Sequence, residues 1–245
     1  MIKMYVVTHK ESNFLPVGRT FIGVGDNKSI NNVQTYDYIG DNISVKNSFY
    51  CELTALYWIW KNDNSDFISF EHYRRFFYKK TSFFWKNIST PKYILNKLKK
   101  HDIVVSNLFY FNVNLEKYYG QNHIHEDLDR CKKIIEKYYP EYSFSYNKVM
   151  NNHCAFMCNM FAMSKELLND YCDWLFGILF KLENEIDLND RDKYQQRVYG
   201  FISERLFNVW VDYKKLKICY LPIYMPKDIP FLVKFKRLIK KIVKK

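Results

Sequence analysis

The stretch "DFISFEHYRRFF", Asp66 to Phe77, decides how the chain is read: a short apolar run ends abruptly in Glu71, His72, Tyr73, Arg74 and Arg75. Phe67 to Phe70 has the length and residue types of a buried strand. Upstream lies "SFYCELTALYWIWK", Ser48 to Lys61, in which Phe49, Leu53, Leu56, Tyr57 and Trp60 recur with the spacing of one helical face. Cys51, Ala55 and Trp58 make the opposite face apolar too, so this helix is expected to be buried on two sides, with Glu52 in need of a partner. Asn47 or Ser48 can cap it, and "NDNSD" turns it into the strand.

The same alternation extends in both directions. Met4 to Thr8 reads as a first strand ending in His9 and Lys10, and Arg19 to Val24 as a second. Pro91 to Lys100 is a helix with Pro at its start, and His101 to Ser106 is the next strand. This is the pattern of an α/β domain with a mostly parallel sheet, which binds ligands just beyond the carboxyl ends of its strands. Thr8, His9, Lys10 and the Glu71 to Arg75 block fall there. Further helices are expected over Glu126 to Tyr139, from a Ser164 cap to Glu185, and over Asp192 to Tyr213, with Ala155 to Met163 in the core.

Pro222, Pro226 and Pro230 mark an irregular link to "FLVKFKRLIKKIVKK", Phe231 to Lys245. Phe231, Phe235, Leu238, Ile239 and Ile242 form one helical stripe, and lysines and Arg237 fill the remainder. Such a basic amphipathic helix suits an anionic membrane surface, whereas the competing reading docks it on the body with a solvated basic face. The division expected is residues 1–226 as one domain and 227–245 as a membrane-associating tail.

A chain of 245 residues is long enough for a sizeable core, and Lys and Arg at 38 against Asp and Glu at 26 favour anionic partners. No apolar run reaches the roughly 18 residues of a bilayer span. Six scattered cysteines and a start, MIKMYVVTHK, without a secretory pattern point to reduced thiols in the cytoplasm. Neither His123 and His125 nor His153, Cys154 and Cys158 have the paired spacing of a structural zinc site. The absence of GxxxxGK[ST], GxGxxG and GxSxG makes phosphate-loop hydrolases, dinucleotide oxidoreductases and α/β-hydrolases poor fits.

Three clusters carry candidate chemistry. Arg74 and Arg75 can offer forked, permanently charged donors to a diphosphate, while Glu71 and His72 could ligate a divalent metal or orient a sugar hydroxyl; a surface ion-pair cluster is the alternative. Asn42, Ser44, Lys46 and Asn47, in "GDNISVKN", lie near a helix amino terminus and suit an anion, or simply cap the helix. Glu204 could act as a general base, or pair structurally with Arg205.

"YVVTHK", "GDNISVKNSFYCELTALYWIWKN", "FEHYRRFF", "NMFAMSKELL" and "VYGFISERLFNVW", in this order, resemble the bacterial family known as domain of unknown function 4422, whose members occur in capsule and exopolysaccharide synthesis and are regarded as glycosyltransferases. The resemblance runs to about Trp210 and excludes the tail. It implies a GT-A-like, Rossmann-type α/β fold and transfer of a hexose from a nucleotide diphosphate sugar, expected to be UDP-linked, to a lipid-linked glycan at the inner face of the membrane.

On that basis Thr8, His9, Lys10, Asn42, Ser44, Lys46 and Asn47 are donor-side candidates, joined by His72, Arg74 and Arg75 at the diphosphate. Glu71 and Glu204 are the catalytic candidates, and His123, Asn159 and Arg205 belong to the acceptor side. GT-A enzymes usually hold Mn²⁺ or Mg²⁺ with Asp-x-Asp after a strand; here the place reads Glu71-His72-Tyr73. Either Glu71 holds a metal or the arginines neutralise the leaving group. A nucleic-acid-binding module and a non-catalytic scaffold are the rival readings. The aromatics fall at core spacing and the charge concentrates in the tail, so no nucleic acid is expected.

Overall fold

Seven strands form the central sheet of the computed structural model, which describes residues 1–26, 29–80 and 86–226. In chain order the elements are β1 (Ile2–Thr8), β2 (Thr20–Gly23), β3 (Thr35–Tyr36), α1 (Asn47–Tyr50), α2 (Leu53–Asn62), β4 (Phe67–His72), β5 (Phe76–Lys80) and β6 (Lys86–Ile88). There follow α3 (Pro91–Leu98), β7 (Ile103–Ser106), β8 (Phe109–Tyr110), α4 (Leu115–Gly120), α5 (His125–Tyr138) and α6 (Ser143–Asn151). The remainder is β9 (Cys154–Ala155), β10 (Phe161–Ser164), α7 (Lys165–Glu183), α8 (Val198–Lys214), β11 (Ile218–Leu221) and β12 (Ile223–Tyr224).

The sheet order is β11-β7-β10-β4-β1-β2-β3. Every neighbouring pair is parallel except those of β10, which runs against both β4 and β7. The mostly parallel α/β architecture expected from the sequence is therefore present, with one reversed strand inside it.

Alternation along the strands divides the core. Tyr5, Val7, Ile68, Phe70, Val105 and Phe161 pack with the helices of the larger layer, α2, α5, α7 and α8 among them. Met4, Val104 and Ala162 face the other way, onto Ile94 of α3, Phe77 of β5 and Leu221. Helix starts follow the capping chemistry. The Thr90 hydroxyl accepts the Tyr93 N–H at 3.2 Å ahead of Pro91, and Ser164 accepts the Leu167 N–H at 3.2 Å.

Three departures from the sequence reading matter. The helix expected over Ser48 to Lys61 is broken into α1 and α2 at Cys51. Residues 192–197 form a turn and a short 3₁₀ helix, Gln195–Arg197, ahead of α8 instead of its first turns, because the Asp192 carboxylate takes the N–H groups of Tyr194 and Gln195, both at 2.8 Å. After His72 the chain reverses into the β5–β6 hairpin, which β12 extends. No helix among the described residues is long and apolar enough to cross a membrane. The basic tail read over residues 231–245 lies outside the described residues.

Candidate active site

The carboxyl edge of the sheet holds a cleft of about 520 Å³. Its first wall grows from the end of β4. His72 N–H donates to the Arg75 carbonyl at 3.2 Å and Arg75 N–H to the His72 carbonyl at 2.8 Å, closing a tight turn. Tyr73 N–H donates to the Val7 carbonyl at 3.1 Å, which lays that turn over the end of β1. Thr8, His9, His72, Tyr73, Arg74 and Arg75 thereby line one cleft.

Charges on this wall are mostly fixed. His72 donates from Nε2 to the Cys158 carbonyl at 2.6 Å; burial, with Arg75 adding to it, pushes its pKa down to about 3, so the ring is neutral. His9 is likewise lowered, first by burial and then by Lys10, Arg74 and Arg197. Arg74 lies 4.7 Å from the Tyr73 ring centre. Among the described residues no carboxylate pairs with Arg74, Arg75 or Arg197. Arg197 stands at the foot of α8, 3.0 Å from the Cys51 sulfur.

The second wall carries the acids. Cys51 adopts φ 55° and ψ −125°, a conformation foreign to side-chain-bearing residues and costing on the order of 1–3 kcal/mol. Asn47 holds it there, donating from Nδ2 to the Cys51 carbonyl at 2.8 Å and to the Thr54 hydroxyl at 2.9 Å. The break turns Glu52 onto the cleft, where the Asn159 amide donates to its Oε1 at 2.9 Å. Glu204, one face of α8 away, accepts the Cys158 N–H at 3.0 Å and Arg205 Nη1 at 3.1 Å. Burial raises the Glu204 pKa, and the charge of Glu52 raises it further against the pull of Arg205.

Several candidates lie elsewhere. Glu71 is fully buried, and Arg19 binds both its oxygens, at 2.9 and 3.3 Å; the Phe77 N–H takes Oε1 as well, at 2.8 Å. It does not line the cleft, and a carboxylate so saturated does not fit a metal ligand. The one group of three metal-ligand types that converges among the described residues, Glu116, His125 and Asp129, is outside the cleft too. Asn42 and Ser44 bond each other at 2.8 Å within their own loop, and Lys46 pairs with Glu183 at 2.6 Å. These three build the entry to α1 and do not reach the cleft.

Lys10 sits over the outer side of Tyr73, 5.8 Å from its ring centre, and is not a lining residue. His123 is stacked 4.0 Å from Phe201, behind the wall, with its pKa lowered to about 4 by burial and then Arg205. Arg205 is 2% exposed and spent on Glu204 and the Phe201 carbonyl. Asn159 is buried and acts on the cleft through Glu52. Sequence reasoning missed Cys51, Tyr73, Arg197 and Phe201 as lining residues. Glu52 had one legible signal, an acidic side chain on a helix apolar on both faces.

The family model described as domain of unknown function DUF4422 matches residues 3–215. The apo structure of WbbM, a bifunctional glycosyltransferase, aligns with a TM-score of 0.84 at 31% identity, over 92% of this chain and 45% of that one. The chain thus spans less than half the length of that neighbour. No curated protein matches. The matched span takes in β1 from Lys3, every later strand through β10, the turn at Arg74 and the whole of α8: the chain belongs to the family of domain of unknown function 4422.

Proposed function

We propose that this chain is a glycosyltransferase that moves a hexose from a nucleotide diphosphate sugar, UDP-linked, to a lipid-linked glycan in the assembly of a capsule, exopolysaccharide or related surface polysaccharide. The observation that carries the reading is the composition of one cleft. Three arginines without acidic partners among the described residues, Arg74, Arg75 and Arg197, share it with two carboxylates, Glu52 and Glu204. Unpaired guanidinium groups suit a diphosphate, and a carboxylate suits an acceptor hydroxyl. The likeness to WbbM supports the class of reaction.

In this mechanism the donor phosphates lie against Arg74 and Arg75, which stabilise the negative charge that grows on the leaving nucleoside diphosphate. His72, neutral and tied to Cys158, adds a polar but uncharged surface between them and the carboxylates. Glu71 has its charge answered by Arg19, so the arginines do the electrostatic work that a divalent metal does in other GT-A enzymes.

A location at the inner face of the membrane belongs to the same proposal and rests on the sequence of residues 231–245. One experiment addresses both parts. The full chain and a chain ending at residue 226 are incubated with a panel of nucleotide sugars and anionic phospholipid vesicles. Both should release UDP or GDP, and only the full chain should sediment with the vesicles. Absence of nucleotide binding and release across the panel refutes the activity; equal sedimentation refutes the tail's role.

A further inference from the structure

We propose that Glu52 is the base that takes the proton from the acceptor hydroxyl, held in place by the strained turn at Cys51 and by Asn159. The assignment rests on the glycosyltransferase reading of the cleft. In the step, the acceptor oxygen forms a bond to the anomeric carbon while the bond from that carbon to the donor phosphate oxygen breaks. The nucleoside diphosphate departs with the electron pair, and the hydroxyl proton passes to Glu52 Oε2.

The three carboxylates near this edge differ in what their oxygens already hold. Glu71 has both oxygens occupied and no access to the cleft. Glu204 has access, but Oε1 holds the Cys158 N–H and Oε2 holds Arg205. That leaves Glu204 as a brace for the turn at Cys158 and Asn159, two successive residues at φ 80° and 47°. Glu52 differs from both. Its Oε1 is fixed by Asn159, and Oε2 has no partner among the described residues while the residue lines the cleft.

The supports of Glu52 are themselves fixed. Asn159 is 2% exposed and also donates to the Ser203 hydroxyl at 2.9 Å, which in turn donates to the Gly200 carbonyl at 2.8 Å. Cys51 is kept in its unfavourable conformation by the Asn47 amide. A regular helix through this position would lack the local strain, so the strain is retained where it aims a side chain at a site. Among the described residues, Arg197 and Glu204 are charged groups coupled to Glu52, while Cys51 and Tyr171, their pKa values raised first by burial and further by the Glu52 charge, stay neutral.

The test needs no knowledge of the natural acceptor, since slow hydrolysis of the donor uses water in its place. With the nucleotide sugar that gives the fastest release, Glu52→Gln should lower turnover about 10²–10⁴-fold with nucleotide affinity retained. It should also abolish the acidic limb of the turnover–pH profile. Glu204→Gln should slow turnover by loosening the Cys158 turn yet keep that limb. Glu52→Asp, which keeps the charge but withdraws it, should fall between, and melting curves of all three check the fold. Wild-type turnover in Glu52→Gln, or loss of the acidic limb only in Glu204→Gln, overturns the assignment. A wild-type chain that binds no nucleotide sugar overturns the glycosyltransferase reading itself, a result distinct from donor turnover indifferent to Glu52.

Discussion

Glu71 and Glu52 both stand near the carboxyl edge of the sheet, and they have opposite fates. Glu71 is the penultimate residue of β4, at the strand end where a ligand-binding acid is expected, but it is sealed against Arg19 with neither side chain more than 1% exposed. Glu52 lies in the middle of an apolar helical pattern, where a core or solvated residue is expected, and a backbone break carries it to the cleft. Position relative to a strand indicates where a site is. Which carboxylate can react there depends on which has an oxygen left over.

The largest effect that sharpens this contrast is on stability. Arg19→Ala would strand the Glu71 charge in the core and should cost about 3–5 kcal/mol, read as a lower urea midpoint. Replacing both, as Arg19→Met with Glu71→Leu, should recover most of the loss. A single variant with unchanged stability and impaired turnover would instead make Glu71 part of the reacting site and break the contrast. A smaller effect is expected on the open wall. Arg74→Ala should weaken nucleotide binding about 10- to 100-fold, the scale of one or two charge-assisted hydrogen bonds, with the midpoint unmoved. The smallest expected effect is that of EDTA, which should leave donor turnover unchanged. Marked loss on chelation, restored by Mn²⁺ or Mg²⁺, would show that the cleft's carboxylates recruit a metal that Glu71 does not.

The sheet was legible from local chemistry. β1, β4 and β7 are short apolar runs bounded by polar groups, and α3 and α7 carry their own caps, so neighbouring residues contain the signal. The site was legible only in part, and Thr8, His9, Asn47, His72, Arg74, Arg75 and Glu204 do line the cleft. Asn47 does so as the clamp of a turn, a role set by residues 51 and 54. Glu71 misled because its partner is 52 positions upstream, and pattern reading has no access to such pairings. Cys51 misled for a different reason. Helical periodicity is indifferent to one residue of unusual φ, since the apolar stripe resumes on its far side. Arg197 was overlooked because the turn and the 3₁₀ helix ahead of α8 were read as part of one α-helix.

The reversed strand β10 has a consequence for how such a cleft can diversify. A parallel strand presents its last residues to the ligand edge, whereas β10 presents the residues that precede it, Cys158 and Asn159. The two walls therefore draw on separate stretches of chain, the first on residues 8–9 and 72–75 and the second on residues 47–52, on Cys158 and on residues 197–204. A change in the stretch that leads into β10 alters the wall at Cys158 and leaves the turn that carries Arg74 and Arg75 in place, so the two sides of the cleft can vary independently.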